Sequence, residues 1–111
     1  MGTTTFSGPV VSQNGFIVGS GSTINKVLTG SASLNFPSIS AAGQQDLTIT
    51  VTGAAVNDEV ILGLPAAPTA GIVFNGFVSA ANTVTIRATN VTASPVDPAA
   101  ATYSVIVLAA A

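Results

Sequence analysis

Few side chains in this sequence are equipped for chemistry. Lys26, Asp46, Asp58, Glu59, Arg87 and Asp97 are the whole charged complement of 111 residues, 5% of the chain, against about 25% in an ordinary soluble domain. The absence of histidine removes the usual base at neutral pH and the commonest metal ligand. The absence of cysteine removes the thiolate nucleophile, the zinc-thiolate site and the disulfide. Serines are plentiful, but no histidine is there to activate one, and "GSGS" at Gly19 to Ser22 lacks the pattern of a nucleophile elbow. The same "GSGSTINK" lacks the Gly-Lys-Ser/Thr ending of a phosphate loop. Glycoside hydrolysis needs two carboxyl groups facing each other about 5 to 10 Å apart. Asp58 and Glu59 are neighbours at a strand start, where successive side chains point to opposite faces. Turn capping is the expected role of Asp46, Asp58 and Asp97, each at a strand boundary or before proline. A spaced Asp/Asn calcium loop is missing. The expectation is therefore a protein that is not an enzyme and uses no cofactor or metal.

The same scarcity of charge bears on partners. Two cations cannot build the basic stripe that nucleic acid requires, so no nucleic-acid partner is expected. The run from Val60 to Ile86 has no charged side chain, but Gly63, Pro65, Pro68, Gly71 and Gly76 interrupt it. A membrane-crossing helix needs about 20 predominantly apolar residues with unbroken internal hydrogen bonds, so no membrane is expected either. "MGTTTFSGPV" has no cationic region followed by an apolar block and does not read as a secretory signal.

What must hold these residues in place is a set of strands. "SLNF" alternates before Pro37, and "DLTITVT" sets Leu47, Ile49 and Val51 against Thr48, Thr50 and Thr52. "DEVILGLP" and "AGIVFNGFVSA" follow, then "NTVTIRATN", with Val84, Ile86 and Ala88 on one face. "TYSVIVL" is apolar on both faces, Tyr103, Val105 and Val107 opposing Ser104, Ile106 and Leu108. Period-two alternation between turn residues, with no amphipathic helical window, predicts an all-β fold: a single small antiparallel β-sandwich, immunoglobulin-like or jelly-roll-like. "AAAT" at Ala99 to Thr102 is a candidate helical turn. The first thirty residues are dense in Gly, Ser, Thr and Asn, with Asn14-Gly15 suited to a tight turn. They read as an extended N-terminal arm over residues 1–30, or as a disordered tail, ahead of a sandwich domain over 31–111.

The outer faces of these strands carry Thr, Ser, Asn and Ala where a solvated sheet would carry charges. Hydroxyls cost far less to desolvate than carboxylates or ammonium groups, and the cores of protein interfaces are depleted of Lys, Glu and Asp. A surface that docks against neighbours has this chemistry. The interface candidates are Phe6, Val10, Phe16 and Ile17 of the arm, as sparse apolar anchors, and Phe77 of the sandwich. Phe74 and Phe77 lie three apart, so one should enter the core and the other face outward, unless a bulge at Gly76 turns both inward. "NVT" at Asn90 to Thr92 is formally a glycosylation acceptor and is read as a loop.

"TTTFSGPVVSQNGF" at the start of the chain resembles the openings of tailed-bacteriophage structural proteins. From Leu47 to Leu108, with the phrases "VSAANTVTIRATN" and "VDPAAATYSV", the chain is similar to a small β domain of phage virion proteins. The two stretches cover most of the sequence, and the family they resemble is that of capsid decoration or cement proteins, those of cyanobacterial phages included. The resemblance implies a virion protein on the outer surface of the capsid that binds the major capsid protein and bridges neighbouring capsomers. It also implies a homo-oligomer, a trimer favoured over a dimer because it matches the three-fold sites of an icosahedral lattice. The alternative is a tail-associated or receptor-binding β module, which would call for exposed aromatics and varied polar loops in place of short Ala-rich ones.

Overall fold

A computed structural model describes residues 2–110, and they form strands and connections only. β1 (Phe16–Ile17), β2 (Thr23–Leu34), β3 (Gln44–Thr50) and β4 (Glu59–Gly63) fill the first part of the chain. β5 (Ile72–Ala80), β6 (Thr83–Asn90) and β7 (Ala101–Ala110) complete it. They make two antiparallel sheets, β1-β2-β7-β4 and β3-β6-β5, packed face to face as a small sandwich. β2 pairs with β7 and β3 with β6, while β4 lies over β5 across the sandwich. The two halves of the chain thus run beside each other like one long hairpin rolled into two layers.

The inward positions follow the alternation. Ile49, Val84, Ile86, Ala88, Tyr103, Val105 and Val107 are buried, with Val60, Leu62 and Phe74 packed against them. Each fully buried aliphatic or aromatic side chain of this kind contributes about 1.5–3 kcal/mol. Phe36, Phe74 and Tyr103 form an aromatic trio with ring centroids 5.3 to 5.9 Å apart. Phe74 comes from one sheet and Tyr103 from the other, so the trio ties the layers together. Two glycines set how closely the sheets approach at their margins. A Cβ on Gly30 of β2 would lie 2.7 Å from a Val51 methyl, and one on Gly76 of β5 would lie 3.2 Å from a Val60 methyl.

Three expectations change. The boundary between arm and domain, placed after residue 30, falls inside β2, whose register with β7 runs from Ile24↔Ala110 to Leu34↔Ala101. The strand is quiet in the sequence because its inward residues include Gly30 and Ala32, small where β7 opposes them with Val105 and Tyr103. "AAAT" is no helical turn: Ala101 and Thr102 open β7 opposite Leu34 and Ser33. Asp46 does not cap a turn, since it lies within β3 directly opposite Arg87 of β6. Asp58 does: its carboxylate accepts the Ala55 N–H at 2.9 Å while its own N–H bonds the Ala55 carbonyl.

Asn90, at the end of β6, is wholly buried. Its Nδ2 donates to the carbonyls of Ile39 (3.0 Å) and Ser94 (2.8 Å), and its Oδ1 accepts the N–H and hydroxyl of Thr92. The "NVT" triplet is therefore a structural clasp. Its amide nitrogen is spent on backbone carbonyls and is closed to a glycosylating enzyme in the folded chain. Asn90→Ala should cost about 1–3 kcal/mol in urea unfolding, because the buried site loses four hydrogen bonds and the Thr92 N–H loses its acceptor, while the Ile39 and Ser94 carbonyls keep one donor each, Val96 N–H and the Thr92 hydroxyl. Gly30→Val should cost about 1–3 kcal/mol by forcing Val51 and the sheet margin apart. Wild-type stability in either variant would refute the corresponding contact.

Candidate interaction surface

Four of the six charged side chains are used in two pairs. Arg87 donates from Nε and Nη2 to the two carboxylate oxygens of Asp46, both at 2.9 Å. Its guanidinium lies 5.0 Å from the centroid of Phe77. Lys26 Nζ reaches Asp58 at 2.9 Å and donates to the Gly53 carbonyl at 2.9 Å. Gly53, with φ of 96°, gives its N–H to Oδ1 of Asn82 in the β5–β6 turn. Lys26, the Gly53 turn, Asp58 and Asn82 thus form one polar clasp at an end of the sandwich. Among the described residues, no three of His, Cys, Asp or Glu come together as metal ligands would. A shallow hollow of about 260 Å³ lies beside β1 and β2, lined in part by Val10, Phe16, Ile24 and Val27, and the one ionisable group on it is Lys26.

The two outer faces differ. On β3-β6-β5 the outward positions are Gln44, Thr48 and Thr50, Thr83, Thr85 and Thr89, Val73, Asn75 and Ser79, with the Asp46–Arg87 pair among them. Thr85 donates its hydroxyl to Ser79 Oγ at 2.7 Å and is itself buried. Phe77 points outward as the spacing with Phe74 predicts, and lies half-covered by Arg87. The bulge in this strand falls between Val78 and Ala80, not at Gly76. It leaves Phe74 inward and Phe77 outward.

On β1-β2-β7-β4 the outward positions mix apolar side chains with hydroxyls: Val27, Ile61, Ile106 and Leu108 stand among Thr29, Ser31, Ser33, Thr102 and Ser104. Val27 stands opposite Leu108, and Ile106 stands between Thr29 and Ile61. A bulge between Ile24 and Lys26 turns Ile24 outward beside Phe16 of β1. Val27 is 62% exposed, Ile61 53% and Ile106 39%, though each neighbours another apolar side chain. The one charge in these rows is Glu59, on the edge strand opposite Leu108. Of the arm residues singled out above, Phe6 and Val10 lie outside any strand, Phe16 and Ile17 constitute β1, and all four are more than half exposed. β7 carries a legible signal for the surface, since both of its faces are apolar in sequence. Val27 and Ile61 have none: each is a single outward residue that becomes part of a row only through cross-strand register.

Comparison with protein-family models, with curated proteins and with solved structures returns no match. No helix among the described residues is long and apolar enough to cross a membrane.

The ion pairs set the response to acid. The hydrogen bonds from Arg87 hold the Asp46 carboxyl below its usual value of 3.8, against a smaller opposing effect of burial. Lys26 and then the Ala55 N–H do the same for Asp58. A carboxyl depressed by folding contributes stability above its unfolded value and loses it as pH falls through the folded one. The melting temperature should stay level from neutral pH to the ordinary carboxylate range and fall below it, and Asp46→Asn with Asp58→Asn should flatten that fall. At the alkaline end burial raises the Tyr103 hydroxyl above 10.0. Its contribution is complete below that value and is lost as pH rises past it. A marked loss of stability between pH 8 and 5 would contradict this pattern.

Proposed function

We propose that this chain is a structural virion protein: a cement, or decoration, protein that binds the outside of a phage capsid and bridges neighbouring capsomers. The observation that carries the reading is the distribution of apolar surface. Phe6, Val10, Val11, Phe16, Ile17 and Val18 are all more than half exposed in the segment ahead of β2, where they serve no core of their own chain. Extended segments with sparse large apolar residues gain most by entering pockets on a partner. The resemblance of "TTTFSGPVVSQNGF" and of the Leu47–Leu108 segment to phage decoration proteins names the partner, the major capsid protein. Sheet faces with so few charges, Glu59 on one and the Asp46–Arg87 pair on the other, supply area at little desolvation cost. Weak contacts repeated over a symmetric shell add through multivalency.

The arm is the part to test, and the fold fixes where to cut. Deletion through residue 30 would remove most of β2 and unfold the sandwich, whereas deletion of residues 2–22 leaves every strand from β2 to β7. Expanded phage shells lacking this protein are titrated with the full-length and shortened chains, and bound protein is measured by sedimentation. The full-length chain should saturate the shells, and the shortened chain, with its melting temperature nearly unchanged, should bind at least ~10-fold more weakly, a difference of about 1.4 kcal/mol. Equal occupancy would refute the role of the arm. No binding by the full-length chain would refute the cement reading.

A further inference from the structure

We infer that the Asn14–Gly15 peptide is a site of spontaneous covalent modification: the Gly15 nitrogen closes on the Asn14 side-chain amide, and hydrolysis of the resulting ring leaves aspartate or isoaspartate in the arm. The fold directs this reaction to Asn14 and withholds it from Asn75, although Asn75–Gly76 is the same dipeptide.

The chemistry needs no enzyme, and water is its only co-reactant. The backbone nitrogen of Gly15 attacks Cγ of Asn14, forming an N–Cγ bond. The Cγ–Nδ2 bond breaks, and the side-chain nitrogen leaves as ammonia with the proton that the Gly15 amide has lost. Water then opens the five-membered imide, its hydroxyl going to one of the two ring carbonyls and its proton to the nitrogen. Opening at Cγ gives aspartate. Opening at the main-chain carbonyl of residue 14 gives isoaspartate, in which the backbone runs through the former side chain. Glycine in the second position permits the step, because it sets no Cβ beside the attacking nitrogen.

Backbone geometry separates the two sites. Ring closure brings the asparagine Cβ and the following nitrogen to the same side of the Cα–C bond, and the ψ of about +135° in an antiparallel strand turns them away from each other. Asn75 lies in β5 opposite Arg87, and Gly76 lies opposite Ile86. The Gly76 N–H is given to Asn75 Oδ1 at 2.9 Å. Phe74 and Phe77 flank the pair, one in the aromatic trio and the other beneath Arg87, so closing the ring there means prising β5 from the sheet. Asn14 is exposed and sits in the turn ahead of β1. The Ser12 hydroxyl bonds the Gly15 carbonyl across that turn. Among the described residues, no backbone hydrogen bond outside the strands involves Asn14 or Gly15. Reaction at Asn14 therefore needs only motion of a turn, whereas reaction at Asn75 is limited by the population of a locally opened sheet.

The fold also accounts for the glycine that makes Asn14 labile. Gly15 has φ of 96°, and a Cβ on it would lie 2.6 Å from the Thr23 methyl and 2.8 Å from the Ile24 carbonyl oxygen. The close approach of the turn to β2 and the reactivity of Asn14 thus come from one residue. Residues 2–25 carry no charged side chain, so the product places a carboxylate where the arm has none. Isoaspartate also lengthens the backbone next to the pairing of Phe16 with Ile24.

The test incubates purified full-length chain at mildly alkaline pH, folded and in concentrated urea. Conversion at each asparagine is followed by fragmentation mass spectrometry, and isoaspartate is counted by labelling with an isoaspartyl methyltransferase. In the folded chain Asn14 should convert at least ~10-fold faster than Asn75, the margin that local opening of a strand imposes. In urea the two rates should converge, because both asparagines precede glycine. Asn14→Gln, which would have to close a larger ring, should abolish labelling of the arm without changing the melting temperature. No conversion at Asn14, equal rates in the folded chain, a rate difference that persists in urea, or arm labelling that survives Asn14→Gln would each overturn the inference.

Discussion

Everything in this molecule leans on the pairing of β2 with β7. It joins a strand near the start of the chain to the last one, from Ile24↔Ala110 to Leu34↔Ala101, and so closes the rolled hairpin. Tyr103, Val105 and Val107 on the inner side of β7 fill the core, and Ile106 and Leu108 stand on its outer side. Contacts of such high sequence separation bear their loop-closure cost before they stabilise anything. The chain therefore commits its longest ladder to the step that brings its ends together. β4 adds to the free edge of β7, and β3 is carried over β2 to begin the second sheet.

From that arrangement follows the division of labour between the two outer surfaces. The β3-β6-β5 face carries hydroxyls, an asparagine, Val73, Phe77 and a bidentate surface ion pair whose contribution to stability is about 0–1 kcal/mol. The β1-β2-β7-β4 face sets Val27, Ile61, Ile106 and Leu108 beside Thr29, Ser31, Ser33, Thr102 and Ser104, with Glu59 opposite Leu108. The few charges are placed where they hold the sandwich together, Lys26 and Asp58 around the Gly53 turn and Arg87 over Phe77.

Much of this was legible in the amino-acid order. Strict alternation in "DLTITVT" and "NTVTIRATN" placed Leu47, Ile49, Val84 and Ile86 inward, because a half-buried strand must repeat every two residues. The spacing of Phe74 and Phe77 assigned them to opposite faces, and the doubly apolar β7 announced a strand in demand on both sides. β2 was hidden because Gly30 and Ala32 are inward for reasons of clearance, and no hydrophobicity pattern records clearance. Asp46 was misread because a carboxylate in mid-strand becomes sensible only when register delivers Arg87 opposite. Asn90 gave no local sign of burial, since its partners are backbone carbonyls at Ile39 and Ser94. The grouping of Val27, Ile61 and Ile106 on one face was beyond sequence reading for a related reason: they come together only through two ladders.

Cryo-microscopy of phage particles at a resolution that traces strands would put the proposed role to its most direct test. Density for this two-sheet sandwich should lie on the outer surface of the shell, bridging capsomers, with residues ahead of β2 inserted between subunits. Density confined to the tail, or a sandwich on the shell whose leading segment touches no neighbouring subunit, would contradict it.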